Sequence, residues 1–148
     1  MTSNNDIVMS LDEQYLIETN EQVLRRHERN TGEQVYIEVI PNNMKCVFPM
    51  INSVGNSGNR KDDLIEIATY ILAVISQKQP FFDGNRRTGI IAAGKFLHDN
   101  GYELAIDPED ENLELREILR KIKHQIQTLN PDIMKQMSFY ISKRMKPL

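Results

Sequence analysis

Residues 62–89 read DDLIEIATYILAVISQKQPFFDGNRRTG. In the first part Leu64, Ile65, Ile67, Ala68, Ile71, Leu72, Val74 and Ile75 fall on nearly every side of a helix. A helix that is apolar all round belongs in the middle of a domain. Pro80 stops it, because the residue before a proline is pushed out of the α region. A second helix is expected to start at Asn85 and run through RRTGIIAAGKFLHD, with Asn100-Gly101 as its stop. The short turn between the two packs a proline, an acid, a glycine, an amide and two arginines together.

Upstream, Ser10 opens SLDE, a capping-box pattern with Glu13 three residues on. A helix is predicted from there to about Glu28, ending near Asn30-Thr31-Gly32, with Leu11, Tyr15, Leu16, Val23 and Leu24 as core positions. VYIEVIPNNMKCVFPM follows. Val35, Ile37 and Val39 alternate, as do Met44, Cys46 and Phe48 after Pro41-Asn42-Asn43, which reads as a hairpin over 35–50. Residues 52–60, NSVGNSGNR, have the composition of a flexible loop. Downstream, Leu115, Ile118, Leu119, Ile122, Ile126 and Leu129 form a one-sided apolar stripe. Asn130-Pro131 reads as N-cap and first residue of a last helix carrying Met134, Met137, Phe139, Tyr140 and Ile141.

At 148 residues the chain is expected to form one domain, 1–148, with an ordinary globular balance of 40% hydrophobic and 26% charged residues. Its formal charge of −3 argues against general nucleic-acid binding, which wants a basic field. The single Cys46 cannot form an internal disulfide, which fits a reducing compartment. No apolar run reaches membrane-spanning length, and MTSNNDIVMS lacks the regions of a signal peptide. The expected location is the cytoplasm, with no membrane partner.

The turn has a chemistry of its own. It leads into the start of a helix, where backbone N–H groups lack partners and the dipole is positive. Gly84 lets the backbone aim N–H groups inward and lets a ligand come close. Asn85 can cap the helix or donate its amide to an oxygen. Arg86 and Arg87 supply fork-shaped donors suited to phosphate. Together these make an anion site at a helix N-terminus. Asp83 beside it is the lone carboxylate that Mg²⁺ takes along with phosphate oxygens and water. As a bland alternative, Asp83-Gly84-Asn85 is a capped loop and the arginines are solvated.

QPFFDGNRRT resembles the signature of the Fic/Doc family, H-x-F-x-[D/E]-G-N-x-R, at every fixed position but the first. More loosely the resemblance covers about 62–105. It implies a mainly α-helical domain with a small β-hairpin flap, here residues 35–50, that holds a target segment as an added strand, the alternative being a hairpin that only covers the core. It also implies transfer of AMP from ATP, or of phosphate in the Doc branch, to the hydroxyl of a target protein. By the same resemblance Asp83 matches the Mg²⁺ ligand and Gly84 and Asn85 the anion hole. Arg87 matches the phosphate-binding arginine, and Phe81 the aromatic that plugs the loop into the core. Arg86 stands where AMP-transferring members often have glycine and Doc has lysine. Ile90 stands where the former often have a second arginine. Both lean toward Doc and phosphoryl transfer.

Gln79 stands where the family has its histidine, the general base. An amide can hold a hydroxyl by a hydrogen bond but cannot take its proton. Two explanations stay open: a natural pseudoenzyme or weak enzyme, or a histidine changed to glutamine to disarm it. His98 lies thirteen residues along the helix from Asn85, about 20 Å away, and neither His27 nor His124 sits in a local constellation. No glutamate has Ser or Thr four places before it, so the family's inhibitory helix motif is missing. Restraint would then come from a separate inhibitory or antitoxin protein, or from the lost histidine. The rival class of function is a non-catalytic nucleotide-binding or partner-binding module.

Overall fold

The computed structural model describes residues 6–107, 113–125 and 128–148. The apolar run forms α4, Arg60–Lys78, whose start is capped by the Asn59 side chain accepting the Asp62 N–H. Asp62 and Asp63 in its first turn complement the helix dipole. Leu64, Ile71, Leu72 and Ile75 are fully buried. Side chains of this kind cost about 2–5 kcal/mol each when cut to alanine, so the fold depends most on this helix.

Around α4 pack α3 (Val47–Ile51), α5 (Asn85–Asp99), α6 (Leu113–Lys123) and α7 (Pro131–Arg144). Helix α1 (Glu13–Thr31) lies against α5, and the short α2 (Pro41–Met44) leads into α3. Strands β1 (Tyr102–Leu104) and β2 (Met145–Pro147) pair antiparallel, with Glu103 opposite Lys146. The fold is mainly α, as expected, with a small two-stranded sheet. Among the described residues no helix is long and apolar enough to cross a membrane.

Several local expectations are corrected. Asp12, not Ser10, caps α1, its carboxylate accepting the Tyr15 N–H at 2.7 Å. Gly32, at φ 72, closes that helix as the Asn-Thr-Gly signal suggests. The hairpin over 35–50 is not formed. Residues 35–39 do alternate between half-buried and exposed, but Val39 makes only an isolated bridge to Phe81. Beyond Pro41 the chain turns helical, and Met44, Val47 and Ile51 are the buried residues. Their spacing of three and four is helical, and it outweighs the apparent alternation through Cys46, which is exposed. The loop read as flexible is anchored. Buried Asp63 accepts from the Ser57 N–H at 2.9 Å and hydroxyl at 2.6 Å, and Glu66 accepts the Gly55 N–H at 2.8 Å. Ile126, placed in the apolar stripe, lies outside the described residues.

Candidate functional site

The turn after α4 is held from both sides. Pro80 accepts the Ile40 N–H at 2.8 Å, and the Phe82 N–H donates to Glu38 at 2.9 Å. Val39 and Phe81 are therefore a non-hydrogen-bonded pair, whose own N–H and C=O groups point away from each other. Phe81 is buried in the core, which is the plug its apolar ring makes possible.

Asn85 serves the groups that this pairing leaves over. Its Oδ1 accepts the Phe81 N–H at 3.0 Å, and its Nδ2 donates to the Phe81 carbonyl at 2.8 Å and to Gln79 Oε1 at 3.1 Å. It does not cap α5. Gly84 is the N-cap, at φ 77, and no side chain bonds there. A Cβ on Gly84 would sit 3.0 Å from Asn20 Nδ2 and 3.1 Å from Leu24 Cδ2, so glycine is needed for both backbone and space.

Gln79 is the C-cap of α4 at φ 51, the one non-glycine residue with positive φ among those described. Left-handed backbone costs such a residue about 1–2 kcal/mol. Its bonds offset that. Its Nε2 donates to the Ser76 carbonyl at 2.7 Å, its Oε1 accepts from Asn85, and its own carbonyl accepts from Asn43 Nδ2 at 3.1 Å. Both ends of the amide are thus used inside the loop.

Gln79, Asp83, Gly84, Asn85, Arg86 and Arg87, the residues singled out from sequence, all line one cavity of about 400 Å³. Asp83 is exposed, and its Oδ1 accepts the Gly84 N–H at 2.8 Å. No group of three His, Cys, Asp or Glu side chains that could hold a metal occurs among the described residues. Asp83 is a single carboxylate beside two arginines and a helix start, a set that could hold a cation only with ligands from outside the protein.

Other residues at the site escaped the sequence reading. Arg87 Nη1 lies 3.3 Å from His27 Nδ1, and His27 Nε2 lies 3.1 Å from Glu33 Oε2. The tautomer that satisfies both carries its proton on Nε2. Asn20 Nδ2 donates to the Asp83 carbonyl at 2.8 Å and to Thr88 Oγ1 at 3.2 Å. Asn20, Leu24 and His27 share one face of α1, and the signal available was a buried Asn on that helix's core side. Helix α6 forms another wall with Arg116, Leu119, Arg120 and Lys123. The spacing was visible, but only the apolar stripe of that helix was read. Arg120 Nη2 holds Glu117 at 2.7 Å, and that bond keeps the Glu117 carboxyl below its usual range. Phe82 lines the mouth, 60% exposed, with its ring edge-on to Tyr36 at 5.4 Å. His98 and His124 are exposed and do not line the cavity.

Comparison with known proteins gives one match. The model of the Fic/DOC family matches residues 10–97, more than half the chain. No curated protein and no solved structure matches it.

Proposed function

The chain belongs to the Fic/DOC family, and from that premise we propose a transferase scaffold that moves AMP or phosphate from ATP to a protein hydroxyl, impaired by Gln79. The observation that carries this reading is the convergence of Gln79, Asp83, Arg86 and Arg87 on one cavity at the start of α5. The α5 N-terminus and the arginines bind and orient phosphate by charge and by N–H donation. Arg87 is aimed by His27. Asp83 would hold Mg²⁺ together with phosphate oxygens, and the ion would neutralise part of their charge.

In transfer, the hydroxyl oxygen bonds to phosphorus as a P–O bond breaks. Pyrophosphate leaves if AMP moves, and ADP leaves if phosphate moves. Either way the hydroxyl proton needs an acceptor. Gln79 offers an amide oxygen already hydrogen-bonded to Asn85, with no useful basicity. General-base catalysis contributes about 10²–10⁴-fold. Positioning and charge stabilisation remain, and these carry much of phosphoryl transfer. Arg86 and Ile90 favour phosphate over AMP as the transferred group.

The test is Gln79→His, incubated with a lysate and ATP labelled at the α or γ phosphate. Labelling of a protein should rise by about 10²–10⁴-fold, with nucleotide affinity nearly unchanged, and the position of the label identifies the group transferred. ATP binding without labelling would leave a second reading, a non-catalytic nucleotide-binding module. That reading draws support from Gln79 itself, whose amide is consumed in holding the loop. Calorimetry should also show ATP binding more tightly with Mg²⁺, and Asp83→Ala should shrink the difference. Equal affinity in EDTA would remove Asp83 from the metal role.

A further inference from the structure

The cavity at the motif loop has a second cationic wall. Arg116, Arg120 and Lys123 of α6 line it together with Arg86 and Arg87 of the first turn of α5. Asp83 is the lone carboxylate among the lining residues, in a chain of net charge −3. Residues 116, 120 and 123 repeat at four and three, so they share one face of α6, while Leu115, Ile118 and Ile122 are turned into the core. Charge complementarity to the helix C-terminus accounts for basic residues at 120 and 123 but not for Arg116. Lys121 lies in the same last turn without lining the cavity, and Arg116 lines it from well before that turn.

We propose that this α6 wall is a second anion subsite that makes the cavity select a chain of phosphates over a single phosphate. It rests on the proposed nucleotide site and deepens it. A single phosphate is satisfied by the α5 N-terminus with Arg86 and Arg87. A ligand carrying successive charges reaches both walls at once, and polyphosphate is such a ligand. The cavity, open to solvent on one side and about 400 Å³ in volume, is of a size that a small polyanion occupies. Glu117 tunes the wall from within. It holds Arg120 through paired bonds of 2.7 and 3.0 Å, and so competes with any anion for that guanidinium. Neutralising Glu117 strengthens the subsite; neutralising Arg116 and Lys123 weakens it.

The experiment titrates the intact protein with inorganic tripolyphosphate and with orthophosphate at low salt. It uses the wild type, Arg116→Gln with Lys123→Gln, and Glu117→Gln. All these side chains are on the exposed side of α6, and thermal unfolding checks that each variant is folded. The wild type should prefer tripolyphosphate by about tenfold or more, and the double variant should lose about tenfold in that affinity while keeping its orthophosphate affinity. Glu117→Gln should bind tripolyphosphate more tightly than the wild type. The proposal is overturned if the double variant keeps the preference, or if it loses both ligands equally. Tripolyphosphate binding unchanged by Glu117→Gln overturns it too. So does a poly-glutamate peptide that binds the wall as well as tripolyphosphate does. Tripolyphosphate carries no nucleotide, so these results stand apart from whether Gln79→His labels a protein.

Discussion

Replacing Asn85 by alanine isolates what holds the motif loop. Phe81 is 1% exposed, and its N–H and C=O are turned away from the 38–40 segment by the bridge to Val39. Among the described residues, the Asn85 amide is the partner found for both groups. Alanine leaves a buried donor and a buried acceptor unpaired, each costing about 1–3 kcal/mol. The expected loss is about 2–6 kcal/mol, toward the lower end where water from the cavity reaches one of the groups. Asn85→Asp should be no better. It keeps an acceptor for the Phe81 N–H but sets a carboxylate against the Phe81 carbonyl and Gln79 Oε1. Urea unfolding measures this as a shift of midpoint at constant slope. If Asn85→Ala unfolds within about 0.5 kcal/mol of the wild type, the loop does not depend on that amide and the accounting is wrong.

Three further outcomes are expected. Gly84→Ala should lose at least about 1 kcal/mol by urea unfolding, from left-handed backbone and from a Cβ pressed to 3.0 Å against Asn20; wild-type stability would show that the loop yields. His27→Ala should weaken phosphate binding several-fold by calorimetry with little change in unfolding, because it frees Arg87 from its Nδ1 contact; unchanged binding would leave His27 without a part in the site. Hydrogen bonds from Ser10, and then from Lys95, hold the Asp99 carboxyl below its ordinary 3.8. A depressed folded value stabilises above 3.8 and fades as pH falls through the folded value, so Asp99→Asn should flatten that acid-side loss. An unaltered acid profile would dismiss the contribution.

The helical part of the fold was legible because its signals are local. The apolar content of 62–77, Pro80, Gly32 and Asn130-Pro131 each act within a turn or so of themselves, and α4, α5, α1 and α7 follow them closely. The hairpin failed because alternation over five residues cannot specify a partner. Residues 35–39 are extended, but what they meet is Phe81, far along the chain. Strands β1 and β2 were invisible for the same reason, each three residues long with its partner some forty positions away. At the site, the motif residues were legible as a string. Their supports were not, because Asn20, His27 and Asn43 reach the motif residues, and the α6 cations reach their cavity, only through tertiary packing. His27 was set aside for want of neighbours in sequence, and its neighbours are Arg87 and a glutamate six residues on.

The use of both ends of the Gln79 amide has a consequence for which side chains position 79 accepts. Whatever chemistry goes on at the cavity, a residue at 79 carries a folding demand. It must tolerate left-handed backbone, donate to Ser76 and accept from Asn85. Side chains without a donor and an acceptor at that reach give up those bonds and leave the loop less stable. Glutamine meets the folding demand in full, and its codons differ from those of histidine only in the third base. Position 79 is therefore one base change from the histidine of the Fic/Doc signature, in a loop whose Asn85 contacts already hold the residue's side chain at the cavity wall.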